Sequence, residues 1–288
     1  EFTLERDIIR VQSVRFEELE KGIGYVRLAT FSETAAKDVA GAISKMEQKA
    51  GGPLKGLVLD LRMNPGGLLD QAVDVSSLFV DEGTIVSTIG RDPKQREVRL
   101  AKRGMARKDF ALAVLVNGSS ASAAEIVAGA IQDHGRGLIL GAPTFGKGSV
   151  QTVVELGGDL GLKLTVARYY TPSGRSIQEK GVQPDILLDE FDPKLLAEAK
   201  VRREGVRERD LKRRIRNTQV DSEAAEESSD ERKNDGASKT GANRIIPKED
   251  FQVREAISYL KAFEVFRNMN RGTGDKTPPP EGAKTPAG

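Results

Sequence analysis

Cysteine is missing from this 288-residue sequence, and histidine occurs once. The first absence excludes a disulfide framework and any thiolate metal site. The second excludes a multi-histidine metal site. No apolar run approaches the roughly 20 residues that span a bilayer, and no leader-like segment opens the chain. Charge of one sign is not in excess: the formal net charge is +2, which gives no global pull toward nucleic acid. Hydrophobic residues make up 38%, enough for a core that leaves part of the chain outside it. The opening Glu1-Phe2-Thr3-Leu4-Glu5-Arg6-Asp7 reads as the middle of a strand, so the chain is expected to be a fragment.

What is present is a strand–helix alternation. Residues 2–14 alternate as a strand, and Ile23–Leu28 is a second. Ser32 or Thr34 can cap a helix running to Lys49, with Val39, Ile43 and Met46 at helical spacing. Leu57–Leu61 is a short apolar run interrupted only by Asp60, and Ala111–Val116 is fully apolar, as buried strands require. The first ends in the turn Arg62-Met63-Asn64-Pro65-Gly66-Gly67. Helices are predicted over Leu68–Val80 and Ser122–Gln132. Further strands are predicted over Leu138–Leu140, Ser149–Glu155 and Leu162–Tyr169, and a hairpin over Thr84–Ile89 and Arg96–Leu100. The fold class is therefore α/β up to about Leu188.

Beyond that the character changes. A charged helix is expected over 191–217, where Val201–Arg216 holds eight basic and three acidic residues. A disordered linker is expected over 218–248, with seven acidic and two basic residues in Asp221–Asp235. An amphipathic helix over 249–270, with Phe251, Ile257, Leu260, Phe263 and Phe266, should dock on the core. A Pro/Thr/Gly/Ala tail over 271–288 should not.

The chemistry lies in the loops. Ser122 opens a helix after a buried strand, and Lys147 stands 25 residues later in Gly146-Lys147-Gly148. Helix 122–133 carries the chain about 16 Å away, and strand 137–142 returns it over roughly 20 Å. Lys147 is thus brought back to the Ser122 end. A serine and a lysine so placed form a recognised variant of the serine triad. The same arithmetic leaves His134 and Asp133 at the far end of the helix, so His134 reads as a surface or helix-capping residue. The helix N-terminus suits an oxyanion, with Ala123 N–H as the nearest donor and Gly66-Gly67 as the candidate second source. Lys147 would act as general base only as the neutral amine, a form favoured by burial beside Phe145 away from carboxylates. Each piece also has a plain reading. A serine before a helix is commonly just an N-cap. The Gly-Lys-Gly loop lacks the glycine spacing of a P-loop and by itself is an ordinary turn.

These motifs also closely resemble the C-terminal processing peptidases, or tail-specific proteases. The matching segments are Asp60-Leu61-Arg62-Met63-Asn64-Pro65-Gly66-Gly67, Ser120-Ala121-Ser122-Ala123-Ala124-Glu125 and Thr144-Phe145-Gly146-Lys147-Gly148-Ser149-Val150-Gln151. Tyr169–Gln178 and Gly181–Asp185 also match, so the resemblance covers residues 1–188. It implies a crotonase-like (ClpP/crotonase-type) protease core over 15–190, with Ser122 as nucleophile and Lys147 as general base. Gln151 would orient Lys147, and Gly67 and Ala123 N–H groups would form the oxyanion hole. It implies no cofactor and no metal, protein substrates cut near an apolar C-terminus, and a bacterial envelope or periplasmic location. Members normally carry a PDZ domain before the core, and residues 1–14 look like that domain's last strand and its exit. Ala124 departs from the family's usual serine.

The expected function is therefore a serine endopeptidase. Protein or peptide substrates are the expected partners, with homo-oligomers left open and nucleic acid excluded. The rival is a catalytically silent binding or scaffold module that works through the charged C-terminal helices. The acidic segment beside the basic helix argues against a nucleic-acid role, because it can neutralise those charges in cis.

Overall fold

The structure is a computed structural model that describes residues 12–189, apart from 93, 95 and 159, and residues 246–272. The proposed strand over 2–11, the charged helix over 191–217, most of the linker and the tail beyond 272 lie outside the described residues.

A six-stranded sheet forms the centre, in the order β1-β2-β3-β6-β7-β10. Its strands are β1 (Val14–Glu20), β2 (Ile23–Leu28), β3 (Gly56–Asp60), β6 (Ala111–Val116), β7 (Leu138–Gly141) and β10 (Ile186–Leu187). β1 and β2 form an antiparallel hairpin. β2, β3, β6, β7 and β10 run parallel, with Leu57 opposite Leu112 and Leu59 opposite Val114. β3 and β6 are buried along their whole length, which is why neither alternates in hydrophobicity: each faces a core on both sides.

On one side Leu57 and Leu59 join Phe31, Ile43, Phe79 and Ile126, contributed by α1 (Ala35–Ala50), α2 (Leu69–Ser77), α3 (Ala123–Asp133) and their loops. On the other side Val58 joins Tyr25, Ala113 and Leu115. That face is covered by Val253, Ala256, Ile257 and Leu260 of α4 (Phe251–Gly272). At about 1.5–3 kcal/mol for each large apolar side chain buried, as an upper estimate, this second core is a substantial share of the fold's stability.

A second sheet has the order β5-β4-β9-β8, with β4 (Thr84–Ile89), β5 (Arg96–Leu100), β8 (Ser149–Gly157) and β9 (Leu160–Tyr170). β9 pairs with β4 only through Arg168–Tyr170, so the rest of β8–β9 projects as a two-stranded ribbon.

The differences from the sequence reading have local causes. β1 occupies Val14–Glu20, a segment read as following a strand that ended at Val14. Its three glutamates, Glu17, Glu18 and Glu20, hide the pattern because β1 is an edge strand with mostly unburied side chains. Thr34 is the N-cap position of α1, but its hydroxyl bonds to Asp38 Oδ2 at 2.7 Å instead of capping the helix.

Candidate active site

Parallel strands deliver their following loops to one edge of a sheet, and β3, β6 and β7 are adjacent. The turn 61–67, the turn 117–122 and the loop 142–148 therefore meet at their carboxyl ends, where open α/β sheets commonly bind ligands. Hydrogen bonds lock them together. Ser120 Oγ donates to Leu61 O at 2.8 Å and accepts from Asn117 N at 2.9 Å. Asn117 Oδ1 accepts from Met63 N at 3.0 Å. Ala121 N donates to Asn64 O at 2.9 Å, and Phe145 N donates to Ser120 O at 3.0 Å.

Ser122 sits half-buried at the N-cap of α3 with φ 56° and ψ −113°. That is a region L-residues avoid, costing of order 1–3 kcal/mol, and such strain concentrates at functional sites. The strain is held from the other side by Gly66, at φ 104°. A Cβ on Gly66 would lie 2.9 Å from Ser122 Cβ and 2.9 Å from Ala121 O, so only glycine permits this approach.

Glu125 ties the serine turn to the lysine loop. It stands at N3 of α3, fully buried, in a capping-box arrangement with Ser122. Its Oε2 accepts from Ser122 N at 2.7 Å and from Lys147 N at 2.9 Å. Its Oε1 accepts from Thr144 Oγ1 at 2.6 Å and Gly146 N at 2.7 Å. A single oxygen thus receives the backbone amides of both Ser122 and Lys147, setting the two segments side by side. Burial pushes the Glu125 carboxyl up to about 7, against the opposing pull of its four donors.

Lys147 is half-buried, as is Phe145. The expectation that no carboxylate lies near Lys147 is corrected here, because Glu125 accepts its backbone amide. The loop is clamped from the far side as well: Gly148 N donates to the buried Gln178 Oε1 at 3.0 Å, and Glu179 N donates to Gly146 O at 2.8 Å. Among the described residues no hydrogen bond joins Ser122 Oγ to Lys147 Nζ. Gln151 is not brought to Lys147. It lies exposed on β8 with its Nε2 3.4 Å from Thr165 Oγ1, just after a register irregularity at Val150/Gln151.

The two glycines of the turn 61–67 differ in their amides. Gly66 N is engaged with Asn64 Oδ1 at 2.8 Å. Gly67 is exposed, and among the described residues neither its N–H nor that of Ala123 has a hydrogen-bond acceptor. Ala123, unlike Gly67, is buried at the first turn of α3.

His134 and Asp133 stand at the opposite end of α3, and each is engaged elsewhere. His134 is the C-cap residue, and its Nε2 lies 2.7 Å from Thr84 O, so that nitrogen carries the proton. Asp133 accepts from Ser173 N and from the Arg175 guanidinium. The functional position that the sequence reading did not single out is Glu125. Its signal was the Ser122-x-x-Glu125 capping-box spacing.

Comparison with known proteins shows what the chain is similar to. The sequence pattern of peptidase family S41 matches residues 22–188. The carboxy-terminal-processing protease of Bartonella bacilliformis is 52% identical over 188 residues, which cover 64% of this chain and 43% of that protein. The carboxyl-terminal-processing protease of Synechocystis is 41% identical over 194 residues, covering 66% and 44%. Among solved structures, a photosystem II D1 C-terminal processing protease superposes with a TM-score of 0.56 at 37% identity, over 64% of this chain and 50% of that one. The chain thus spans less than half the length of the two curated relatives. With more than half of its residues inside the family pattern, and the three motif loops joined at one sheet edge, the chain belongs to peptidase family S41.

Proposed function

We propose that this chain is the catalytic part of a serine endopeptidase that uses Ser122 as nucleophile and Lys147 as general base. The observation that carries this reading is the Glu125 Oε2 atom, which accepts the amides of both Ser122 and Lys147. In this reading the neutral Lys147 amine takes the proton as Ser122 Oγ attacks the scissile carbonyl carbon. The oxyanion forms between the Gly67 and Ala123 amides, at the positive end of α3. Collapse returns the proton from Lys147 to the leaving amine. Water then attacks the acyl-enzyme by the reverse sequence of proton transfers. Gln151 belongs to the reading as a residue that reaches Lys147 only if β8 re-aims when substrate binds.

Five parallel strands backed by helices support the crotonase-like core of the same reading. Substrates with apolar C-terminal tails, an N-terminal PDZ domain and an envelope or periplasmic location are further parts of it, carried by the likeness to C-terminal processing proteases. Self-association is left open.

The test is covalent labelling with a fluorophosphonate, together with Lys147→Ala. Wild type should label at Ser122 and cleave an apolar-tailed protein, while Lys147→Ala should do neither and remain folded. Full activity in Lys147→Ala removes the dyad.

A further inference from the structure

Arg62 begins the turn that carries Gly66 and Gly67, and it is 5% exposed. One partner, Asp60, comes from the end of β3, just before it. The Asp60 carboxylate accepts from Arg62 N at 2.9 Å, from Nε at 3.0 Å and from Nη2 at 2.7 Å. Tyr25 OH donates to the same carboxylate at 2.7 Å, and Arg27 stands 3.8 Å from it. Burial alone would raise the Asp60 carboxyl, but the Arg62 guanidinium, with its hydrogen bond and that of Tyr25, holds it below the usual carboxylate range.

The other partners come from the far end of the chain. Arg62 Nη1 donates to both Asp250 oxygens at 3.0 Å and to Gln252 Oε1 at 2.8 Å. Asp250 immediately precedes α4 and also accepts from Val253 N at 3.0 Å, so it fixes the start of that helix. Gln252 Nε2 donates to Leu188 O at 3.0 Å. Residues 246–272 lie beyond the stretch that matches the family pattern, yet they close the guanidinium's coordination. One residue further along, Met63 adopts φ 59° without being glycine. This strained step needs anchors on both sides. Arg62 supplies one, and the bond from Met63 N to Asn117 Oδ1 supplies the other.

We propose that Asp250 and Gln252 of the docked C-terminal helix act through Arg62 as positioning residues for the turn that presents the Gly67 amide to the oxyanion. α4 is then part of the working peptidase as well as a cover for the sheet. The catalytic side of this inference rests on the Ser122 reading above; the coupling itself does not. A planar guanidinium is suited to the task, because it grips Asp60 and Asp250 at once with a fixed fork that lysine lacks.

The test uses the full chain in four forms: wild type, Asp250→Asn, Arg62→Lys and Lys261→Ala. The last is a control on the same helix, where Lys261 pairs with Glu20 near the surface. Amide deuterium exchange over residues 61–68 reads the turn directly. Exchange there should quicken about tenfold in Asp250→Asn and Arg62→Lys, the factor expected for losing a charge-assisted hydrogen bond, and stay unchanged in Lys261→Ala. The fluorophosphonate labelling rate at Ser122 should fall by a similar factor in the first two variants, with KM for a peptide substrate little changed. Faster exchange in α4 alone, with residues 61–68 protected as in wild type, overturns the proposal and leaves α4 a cover only. If wild type fails to label at Ser122, the Ser122 reading falls, and exchange over 61–68 still decides the coupling. Should Asp250→Asn not fold, Gln252→Leu removes one bond to Arg62 and should show a smaller change in the same direction. No change over 61–68 in that variant counts against the proposal.

Discussion

Glu125→Gln sets burial against hydrogen bonding at a single group. Burial raises the Glu125 carboxyl from 4.5 to about 7 in the folded protein, while four donors pull the other way. A folded-state value above the unfolded one means that the folded protein binds the proton more tightly. Stability from this group is therefore fully present below about pH 4.5, declines as pH rises, and is gone above about pH 7. At about 1.4 kcal/mol per unit, the whole span is on the order of 3 kcal/mol. Glutamine cannot titrate. It also turns an NH₂ toward either the Ser122 and Lys147 amides or the Thr144 hydroxyl and Gly146 amide, a loss independent of pH. The assay is urea unfolding of both proteins at fixed pH steps from 4 to 8 and constant ionic strength. Subtracting the variant from wild type cancels every other titrating group. The difference should fall by about 3 kcal/mol between pH 4.5 and 7 and level off above. A flat difference, or one that rises with pH, would refute the reasoning, because it would mean that the four donors outweigh burial and the carboxylate is the favoured form.

Three further outcomes are expected. Gly66→Ala places a Cβ 2.9 Å from Ser122 Cβ at φ 104°; it should cost at least about 1–2 kcal/mol in urea unfolding. In the fraction that stays folded it should also abolish fluorophosphonate labelling. His134→Ala removes only the bond to Thr84 O and should leave cleavage within about twofold of wild type, as expected of an exposed hydrogen bond; a loss of several orders of magnitude would revive a histidine triad. Leu260→Ala opens a cavity between α4 and the sheet and should lower stability by about 2–5 kcal/mol in a denaturant titration.

The strands that were legible in the sequence are those whose environment is the same on both faces. Leu57–Leu61 and Ala111–Val116 read as buried runs because helices cover both sides of β3 and β6. β1 was not legible, since an edge strand tolerates Glu17, Glu18 and Glu20 and a period-2 pattern never emerges. β10 is two residues long and exists only because β7 offers it a free parallel edge. The same division runs through the candidate site. Ser122, Lys147 and the paired glycines announce themselves by local chemistry: a turn before a helix, and loops that need glycine.

Arg62 announces nothing locally, and Glu125 announces only its capping-box spacing to Ser122, because what they do depends on partners far away in sequence. The Glu125 partners Thr144, Gly146 and Lys147 lie 19, 21 and 22 positions on, and the Arg62 partners Asp250 and Gln252 lie 188 and 190 positions on. A lone buried carboxylate or guanidinium is costly, and sequence reasoning rightly expects such groups at the surface. These two are buried because the parallel register of β3, β6 and β7 first brings loop amides to Glu125, and α4 then closes over Arg62. The ionisable groups that sequence reasoning would place in solvent are therefore the ones that hold the serine, lysine and glycine turns in register.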